Sequence, residues 1–298
     1  MYFSNSKKAG LCFLVVGIFS YGWLWPVMSL GVNFIPPLWF ATTRVFFGAL
    51  VLMTILAVRG ELKMPTRADL PAILSVGICM MGLYVSLVHT AMIFIPAGRG
   101  ALLGYSTPLW VAPAAVLLFR EKMNLMRASG VILRLSGLAV LFNPVELNWS
   151  DKNAWMGSGM CILAAISWSV AILQMRNHEW HLTPLQLGPW QLLLATAVTL
   201  PFSIWVEDYR SPLWSIELYG LLLYGGAIGT ALGMWCIAYA IQRLGALTTS
   251  VGLLGGPLVA ITTSVLFLGE IMTLTLSGGL VLILGGIALV TIGEYRNK

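Results

Sequence analysis

Two stretches of this 298-residue chain decide its fold. Residues 98–122 read GRGALLGYSTPLWVAPAAVLLFREK, and residues 244–270 read LGALTTSVGLLGGPLVAITTSVLFLGE. Each is an apolar run with a proline near its middle and a glutamate thirteen positions after that proline. An isolated run of this kind predicts one membrane helix. Because the same proline and glutamate spacing recurs, the sequence also predicts an internal repeat.

The repeat has an offset of 149 residues, since Pro108 and Glu121 recur as Pro257 and Glu270. Gly, Ala and Leu match by chance in any membrane protein, and chance is the alternative explanation of a weak self-match. A proline and a glutamate shared at equal spacing argue against it. The sequence therefore predicts two halves, residues 1–146 and residues 147–298.

The composition predicts an all-α integral membrane protein. Hydrophobic residues make up 58% of the chain and charged residues 9%, against roughly 25% in a soluble domain, and the mean hydropathy is +0.87. Stretches of about 17 to 25 apolar residues give about ten transmembrane helices. Their predicted ranges are 9–31, 37–58, 71–95, 98–119, 127–143, 155–176, 184–206, 216–240, 245–268 and 274–293.

The charges in the short loops predict the orientation in the membrane. With the N-terminus inside, twelve Lys and Arg residues fall on the inner side and two, Lys152 and Arg210, on the outer side. The positive-inside rule then places both termini in the cytoplasm, with the protein in the cell inner membrane. The net charge of +6 is spread over these separate loops, so no nucleic-acid partner is expected. The apolar segment after Lys7 and Lys8 has no cleavage site and is expected to be retained.

Five spans in each half make the two halves inverted, because an odd number of crossings starts the second half from the opposite side. Inverted repeats suit alternating access to one site at the middle of the membrane, which predicts a secondary transporter of a small molecule. A channel-like facilitator and a membrane-embedded enzyme are the alternatives. The sequence has no cluster of His, Asp or Glu at ligand spacing, so neither a metal nor a cofactor is expected.

The two quoted runs, the Pro37 to Arg44 spacing in the second helix and the five-plus-five plan resemble the drug/metabolite transporter superfamily, EamA type. The resemblance covers essentially the whole chain. It implies an exporter or exchanger of amino acids and other small metabolites. It also implies a central cavity lined by helices one, three, four, six, eight and nine, with helices five and ten supporting the packing between the halves.

Three ionisable residues inside the predicted spans are candidates for substrate binding: Arg44, His89 and Arg99. A buried charge in a membrane is costly and needs a partner. For Arg44 that partner is either a backbone or ionic group of the protein or the substrate. Arg99 is near enough to the outer surface to extend into the headgroups, and His89 is either a packed polar group or a proton carrier. Near the second and seventh helices the offset slips to 147, which aligns Arg44 with Gln191.

Aromatic residues inside the spans are the second set of candidates, for contacts with apolar parts of a ligand. For each of them, packing between helices is the alternative. Pro108 and Pro257 are candidate gating positions, because each removes a backbone hydrogen bond inside a span and the two are related by the repeat. The aromatic candidates are Trp23, Tyr84, Tyr105, Trp168, Trp235 and Tyr239.

The expected partners are the lipid bilayer and a zwitterionic or anionic small molecule. Arg44, His89 and Arg99 share the outer half of the membrane region with no carboxylate at that depth. A substrate carboxylate would supply the acceptor that an arginine requires. The sequence leaves open the substrate's identity, the direction of transport, the coupling ion and the oligomeric state.

Overall fold

The computed structural model describes residues 7–119, 125–141, 152–176, 181–207, 214–244, 248–249, 252–253 and 255–295. These residues form helices joined by short turns, and no strand occurs among them. Ten longer helices follow one another in the part of the chain that the structure describes: α1 (Lys7–Gly31), α2 (Pro37–Val58), α3 (Arg67–Ala91), α4 (Ala97–Gly104 and Thr107–Phe119), α5 (Leu125–Leu141), α6 (Lys152–Arg176), α7 (Pro184–Val206), α8 (Ile216–Leu244), α9 (Gly255–Leu268) and α10 (Leu274–Tyr295).

Seven of these helices, α1 to α4 and α6 to α8, are long and apolar enough to cross a membrane, and α5, α9 and α10 contain shorter apolar segments. The all-α membrane fold predicted from the sequence is confirmed. The predicted limits are also close to the observed ones, with two clear differences. α9 begins at Gly255 and not at residue 245, and several of the residues 245–254 lie outside the described residues. α3 ends at Ala91 and not at residue 95, because a turn follows before α4 begins at Ala97.

The internal repeat is visible in the backbone of α3 and α8. Each helix contains a nine-residue π-helical segment, Ser75–Leu83 in α3 and Tyr224–Leu232 in α8. The second segment begins 149 positions after the first, at the offset found in the sequence. π-Helical turns are rare and cluster at functional sites. The repeated halves therefore share a specific backbone irregularity, which apolar composition alone does not produce.

A second shared irregularity lies where α4 and α9 approach their prolines. α4 is interrupted at Tyr105 and Ser106, and its second segment starts two residues later with Pro108 in the first turn. α9 likewise begins just before Pro257. Proline is tolerated in a first turn because its missing N–H would have no helical acceptor there. The start of a helical segment just before each proline is therefore compatible with the sequence.

The helices pack as corresponding pairs across the two repeats. α2 packs along α7 and α5 packs along α10, and the contacts of α1 with α8 and α9 are matched by those of α6 with α3 and α4. This arrangement is the one expected when one helix plan is repeated about a two-fold axis. It leaves α1, α3, α4, α6, α8 and α9 around the centre of the molecule.

Two glutamates join the repeats at one face of the bundle. The carboxylate of Glu207, after α7, accepts hydrogen bonds from the backbone N–H groups of Leu38 (2.9 Å) and Trp39 (3.1 Å) at the start of α2. Glu270, in the turn between α9 and α10, accepts bonds from the first N–H groups of α4, at 2.6 and 2.9 Å. Those amides have no acceptor within their own helices, so each carboxylate caps a helix start of the other repeat.

The same contacts place connections on the sides that the predicted alternation requires. The α1–α2 turn meets the end of α7, and the α3–α4 turn meets the α9–α10 turn. At the opposite face Trp190, near the start of α7, donates a hydrogen bond to the carbonyl of Lys63 between α2 and α3 (3.0 Å). Glu121, the first glutamate of the repeated motif, lies outside the described residues.

Candidate functional site: a central cavity between the repeats

A cavity of about 430 Å³ lies at the centre of the molecule, between the two repeats. Its volume is in the range of about 300 to 1,000 Å³ that small-molecule sites occupy. α1, α3, α4, α6, α8 and α9 contribute to its wall, as the resemblance implied, and α2 and α10 contribute one residue each, Arg44 and Ile287. Most of the lining is aliphatic or aromatic.

The structure brings together seven of the eleven residues singled out from the sequence. Both prolines of the repeated motif are among them, so the break in α4 and the start of α9 face one cavity. The seven that line it are Arg44, Tyr84, His89, Tyr105, Pro108, Trp168 and Pro257.

Arg44 is buried, with 5% of its surface exposed, and reaches the cavity from α2. Its described hydrogen bond runs from Nη1 to the sulfur of Met28, a weak acceptor at 3.5 Å. Its Nε has no partner among the described residues. A buried guanidinium N–H without an acceptor is costly, so this nitrogen is available to an acceptor placed in the cavity.

His89 is fully buried on α3 and also borders the cavity. Its Nδ1 lies 2.7 Å from the carbonyl oxygen of Val85. A carbonyl only accepts hydrogen bonds, so Nδ1 carries the proton, and in the neutral imidazole Nε2 is an acceptor. Nε2 has no hydrogen-bond partner among the residues that the structure describes.

Arg44 and His89 belong to the same part of the cavity wall. Phe40 precedes Arg44 by one turn on α2, so the two side chains share a helix face. The ring of Phe40 lies 5.5 Å from the imidazole of His89, and the charge of Arg44 acts on that imidazole. The guanidinium of Arg44 and the imidazole of His89 therefore border the same part of the cavity.

Aromatic rings form the facing walls. Tyr84 and Trp168 meet edge to face with ring centroids 4.5 Å apart, and Trp25 packs near Tyr105 at 6.1 Å. Glycine makes this packing possible, because a Cβ added to Gly104 would lie 2.7 Å from the Trp25 ring. Most of the cavity wall is thus apolar and aromatic, and Arg44 and His89 form a small polar corner.

Several lining residues were not predicted, and those on α1 form a regular pattern. Tyr21, Trp25 and Met28 follow one another at helical spacings of four and three, so they occupy one face. This periodicity was the available signal. It could not show which face of α1 turns toward the centre, because apolar residues surround the whole helix.

Four predicted residues lie away from the cavity. Trp23 packs against Phe267 at 4.7 Å and borders a groove with the exposed side chains of Val15 and Phe19, on the side of α1 opposite to Trp25. Arg99 lies in the first segment of α4, where its charge acts on the thiol of Cys161 in α6.

Trp235 and Tyr239 pack around Phe13 of α1, at 5.8 and 4.4 Å between ring centroids. Two arginines stack on them, Arg59 over Trp235 at 5.8 Å and Arg243 over Tyr239 at 5.0 Å. This aromatic and cationic cluster lies at the ends of α1, α2 and α8, beyond the wall of the central cavity.

A buried core drawn from both repeats packs beside the cavity. It contains Leu102 and Leu103 of α4, Ile261 of α9 and Ile283 of α10, none of them more than 1% exposed. These residues lie between the cavity and the face at which Glu207 and Glu270 cap α2 and α4. Packed side chains and two capped helix starts therefore lie on this side of the cavity.

Comparison with known proteins agrees with this architecture. The family model described as "EamA-like transporter family" matches the chain twice, over residues 8–143 and 155–292. The uncharacterized transporter YoaV of Bacillus subtilis is 28% identical over 290 residues, covering 96% of this chain and 99% of the relative. A probable terminal-alkyne amino-acid exporter of Streptantibioticus cattleyicolor is 25% identical over 240 residues, covering 79% and 78%.

A crystal structure with 19% sequence identity superimposes with a TM-score of 0.68 and covers 98% of this chain and 100% of its own, which shows the fold. The two family matches fall on the two repeats and together cover nearly the whole chain. This multi-pass membrane protein belongs to the EamA-like transporter family.

Proposed function

We propose that the protein is a secondary transporter of the cell inner membrane that exports or exchanges amino acids or related zwitterionic and anionic metabolites. The observation that carries the proposal is Arg44, a buried guanidinium with an unpartnered nitrogen that faces a central cavity. None of the described lining residues is acidic. A ligand carboxylate would satisfy the guanidinium with two oxygens in the geometry that arginine favours.

Alternating access follows from the repeats. Residues 1–146 and 147–298 form the two units, both termini lie in the cytoplasm, and the Glu207 and Glu270 caps lie at the outer face. In that orientation the buried core closes the outer path. The paired breaks at Pro108 and Pro257 are the positions where α4 and α9 bend when the closed path opens.

The amino-acid part of the proposal draws on the relative named a probable amino-acid exporter. A channel-like facilitator is the alternative. The buried layer between the cavity and one face favours the transporter, because a continuous pore would have to cross that layer. A site reached from one side at a time gives saturable exchange.

Flux in proteoliposomes tests the proposal. Vesicles loaded with an unlabelled amino acid or organic anion should accumulate the labelled compound by counterflow, with a rate that saturates. Arg44→Gln should lower the affinity, whereas Gln191→Leu should not, since Gln191 donates to the Ala72 carbonyl outside the cavity. Flux that rises linearly with concentration and shows no counterflow would favour the channel instead.

A further inference from the structure

The polar corner of the cavity has a composition that discriminates among substrates of the proposed class. It contains Arg44, the cation among the described lining residues, and His89, each with a nitrogen that has no hydrogen-bond partner among the described residues, and the hydroxyl groups of Tyr21 and Tyr84 lie nearby. From this pairing we infer that the cavity is selective for 2-hydroxy carboxylates with an aromatic or branched apolar side chain, in preference to the matching 2-amino acids. The inference rests on the proposed transport function and narrows its substrate class.

The charge balance excludes an ammonium group from the best ligand. A bound carboxylate neutralises Arg44 and leaves the corner without net charge. A bound amino acid adds an ammonium close to the guanidinium, and no described lining residue is acidic. A positive charge that is repelled by a neighbour and shielded from water is penalised far more here than in solution.

The acceptor on His89 favours a ligand with a hydroxyl group at carbon 2 over one with a hydrogen atom there. Nδ1 is committed to the Val85 carbonyl at 2.7 Å, so Nε2 can pair only with a donor from the ligand. A carboxylate without a hydroxyl group leaves Nε2 unsatisfied, and a buried unsatisfied acceptor costs binding free energy. A hydroxyl donates one hydrogen and carries no charge.

The two groups are close enough to act on one small ligand. Phe40 and Arg44 lie on the same face of α2, and the Phe40 ring packs 5.5 Å from the imidazole. A 2-hydroxy carboxylate separates its hydroxyl from its carboxylate by a single carbon, so it suits a donor and an acceptor on one wall. Beyond them the cavity is lined by Tyr84, Trp168 and Trp25, which suits an apolar ligand body.

A matched series of three compounds isolates each step: 3-phenylpropanoate, 3-phenyllactate and phenylalanine differ only in hydrogen, hydroxyl or ammonium at carbon 2. Binding to the purified full-length protein in detergent is measured by calorimetry, and flux is measured in proteoliposomes. Phenyllactate should bind tightest, phenylpropanoate roughly three- to tenfold more weakly, and phenylalanine at least about tenfold more weakly than phenyllactate.

The His89 variants assign the hydroxyl preference to one atom. His89→Leu should bind phenyllactate and phenylpropanoate equally, whereas His89→Gln, whose amide oxygen accepts a hydrogen bond, should keep part of the preference. If a variant does not fold, the ranking in the unmodified protein still decides the question.

Two results would overturn the inference. Phenylalanine binding as tightly as phenyllactate would show that the ammonium is accommodated, and equal binding of phenyllactate and phenylpropanoate would show that Nε2 receives no donor. Either could occur in a protein that still performs counterflow, so transport would stand while this selectivity fell. Absence of counterflow for all compounds would instead remove the proposed function.

Discussion

The two repeats agree in backbone and differ in chemistry. The π-helical segments of α3 and α8 begin 149 positions apart, and Pro108 and Pro257, each in the first turn of a helical segment, keep the same offset. The features that allow helices to bend are therefore duplicated. Motion that exchanges the conformations of the two halves needs this duplication, because each half has to adopt both shapes.

The polar side chains of the cavity follow no such symmetry. Arg44 and His89 both come from the first repeat, and the matching positions of the second are Gln191 and Ala238. Gln191 is buried and donates to the Ala72 carbonyl at 3.4 Å, so it is satisfied by the protein itself. A repeated backbone thus surrounds an unrepeated polar corner, which in the proposed transporter favours one orientation of the ligand.

The largest effect is expected for membrane topology, on which the inversion of the repeats depends. In a protein whose four native cysteines are replaced, Lys152→Cys should react with an impermeant thiol reagent in intact cells, and Lys63→Cys should not. Both side chains are exposed, so access to the outer side decides the outcome. Labelling of Lys63→Cys alone would reverse the orientation, and labelling of both would contradict the alternation of the spans.

The next largest effect separates the two aligned positions in α2 and α7. Arg44→Gln should weaken the binding of carboxylate ligands by about ten- to a hundredfold, since it removes a charged donor. Gln191→Leu should change binding by less than about twofold, because Gln191 does not reach the cavity. Calorimetry with 3-phenylpropanoate measures both. A comparable loss in the two variants would mean that binding is as symmetric as the backbone.

Much of the fold could be predicted from the sequence, because the length of each apolar stretch and the repeated proline and glutamate spacing can be read directly from the residues. The ten spans needed only the hydropathy pattern, and the 149-residue offset needed Pro108, Pro257 and the glutamate thirteen positions after each. The π-helical segments could not be predicted, since nothing in Ser75–Leu83 differs in composition from an ordinary apolar helix. Packing against neighbouring helices decides whether a backbone N–H bonds to the carbonyl four residues earlier, as in an α-helix, or five residues earlier, as in a π-helix.

The site was harder to predict, because a helix that is apolar all round gives no indication of its rotation. Trp23 and Trp25 are equivalent as residues, yet Trp25 lines the cavity and Trp23 packs against Phe267. Charge was a better guide than aromaticity. Arg44 and His89 both line the cavity because the centre of the bundle is where a membrane protein can accommodate buried polar groups.

Substitutions of Pro108 and Pro257 test whether the duplicated backbone features of the two repeats have the same role. Pro108→Ala and Pro257→Ala should each lower the maximal counterflow rate by about three- to tenfold, with little change in ligand affinity, since a fused helix bends less readily. The two losses should be similar in size. A loss confined to one variant would show that the matched breaks do not contribute equally to gating. Equal losses in affinity, with rates unchanged, would assign both prolines to binding.

The caps that Glu207 and Glu270 form at one face of the bundle should have a smaller effect, on stability. Glu270→Ala leaves the amides of Ala97 and Gly98 without their acceptor, which should cost about 1 kcal/mol and lower the melting temperature by roughly 2 to 4 °C. Glu217→Ala is the matched control, because Glu217 also lies at a helix start but is exposed. An equal fall in the melting temperature of both variants would show that the loss of the Glu270 cap is not the cause.

The smallest effect concerns the two aligned helix starts of α2 and α7, which are capped by different chemistry. Glu207 caps α2 with a carboxylate, whereas Thr183 caps α7 with a neutral hydroxyl group. Burial raises the pKa of Glu207 above its ordinary value of 4.5, although the amides of Leu38 and Trp39 act in the opposite direction. The folded protein therefore binds the Glu207 proton more tightly than the unfolded chain does.

A raised pKa in the folded state fixes the sign of the pH dependence. The contribution of Glu207 to stability is fully present below pH 4.5 and is lost as the pH rises through its raised pKa. Melting temperatures in detergent should thus fall in the wild type relative to Glu207→Gln as the pH rises from about 4 to 7. Other carboxyl groups titrate in both proteins and cancel in the difference. Thr183→Ala should shift the melting temperature equally across this range, because no titrating group is removed. A flat difference between wild type and Glu207→Gln would show that the α2 cap behaves like its neutral counterpart on α7.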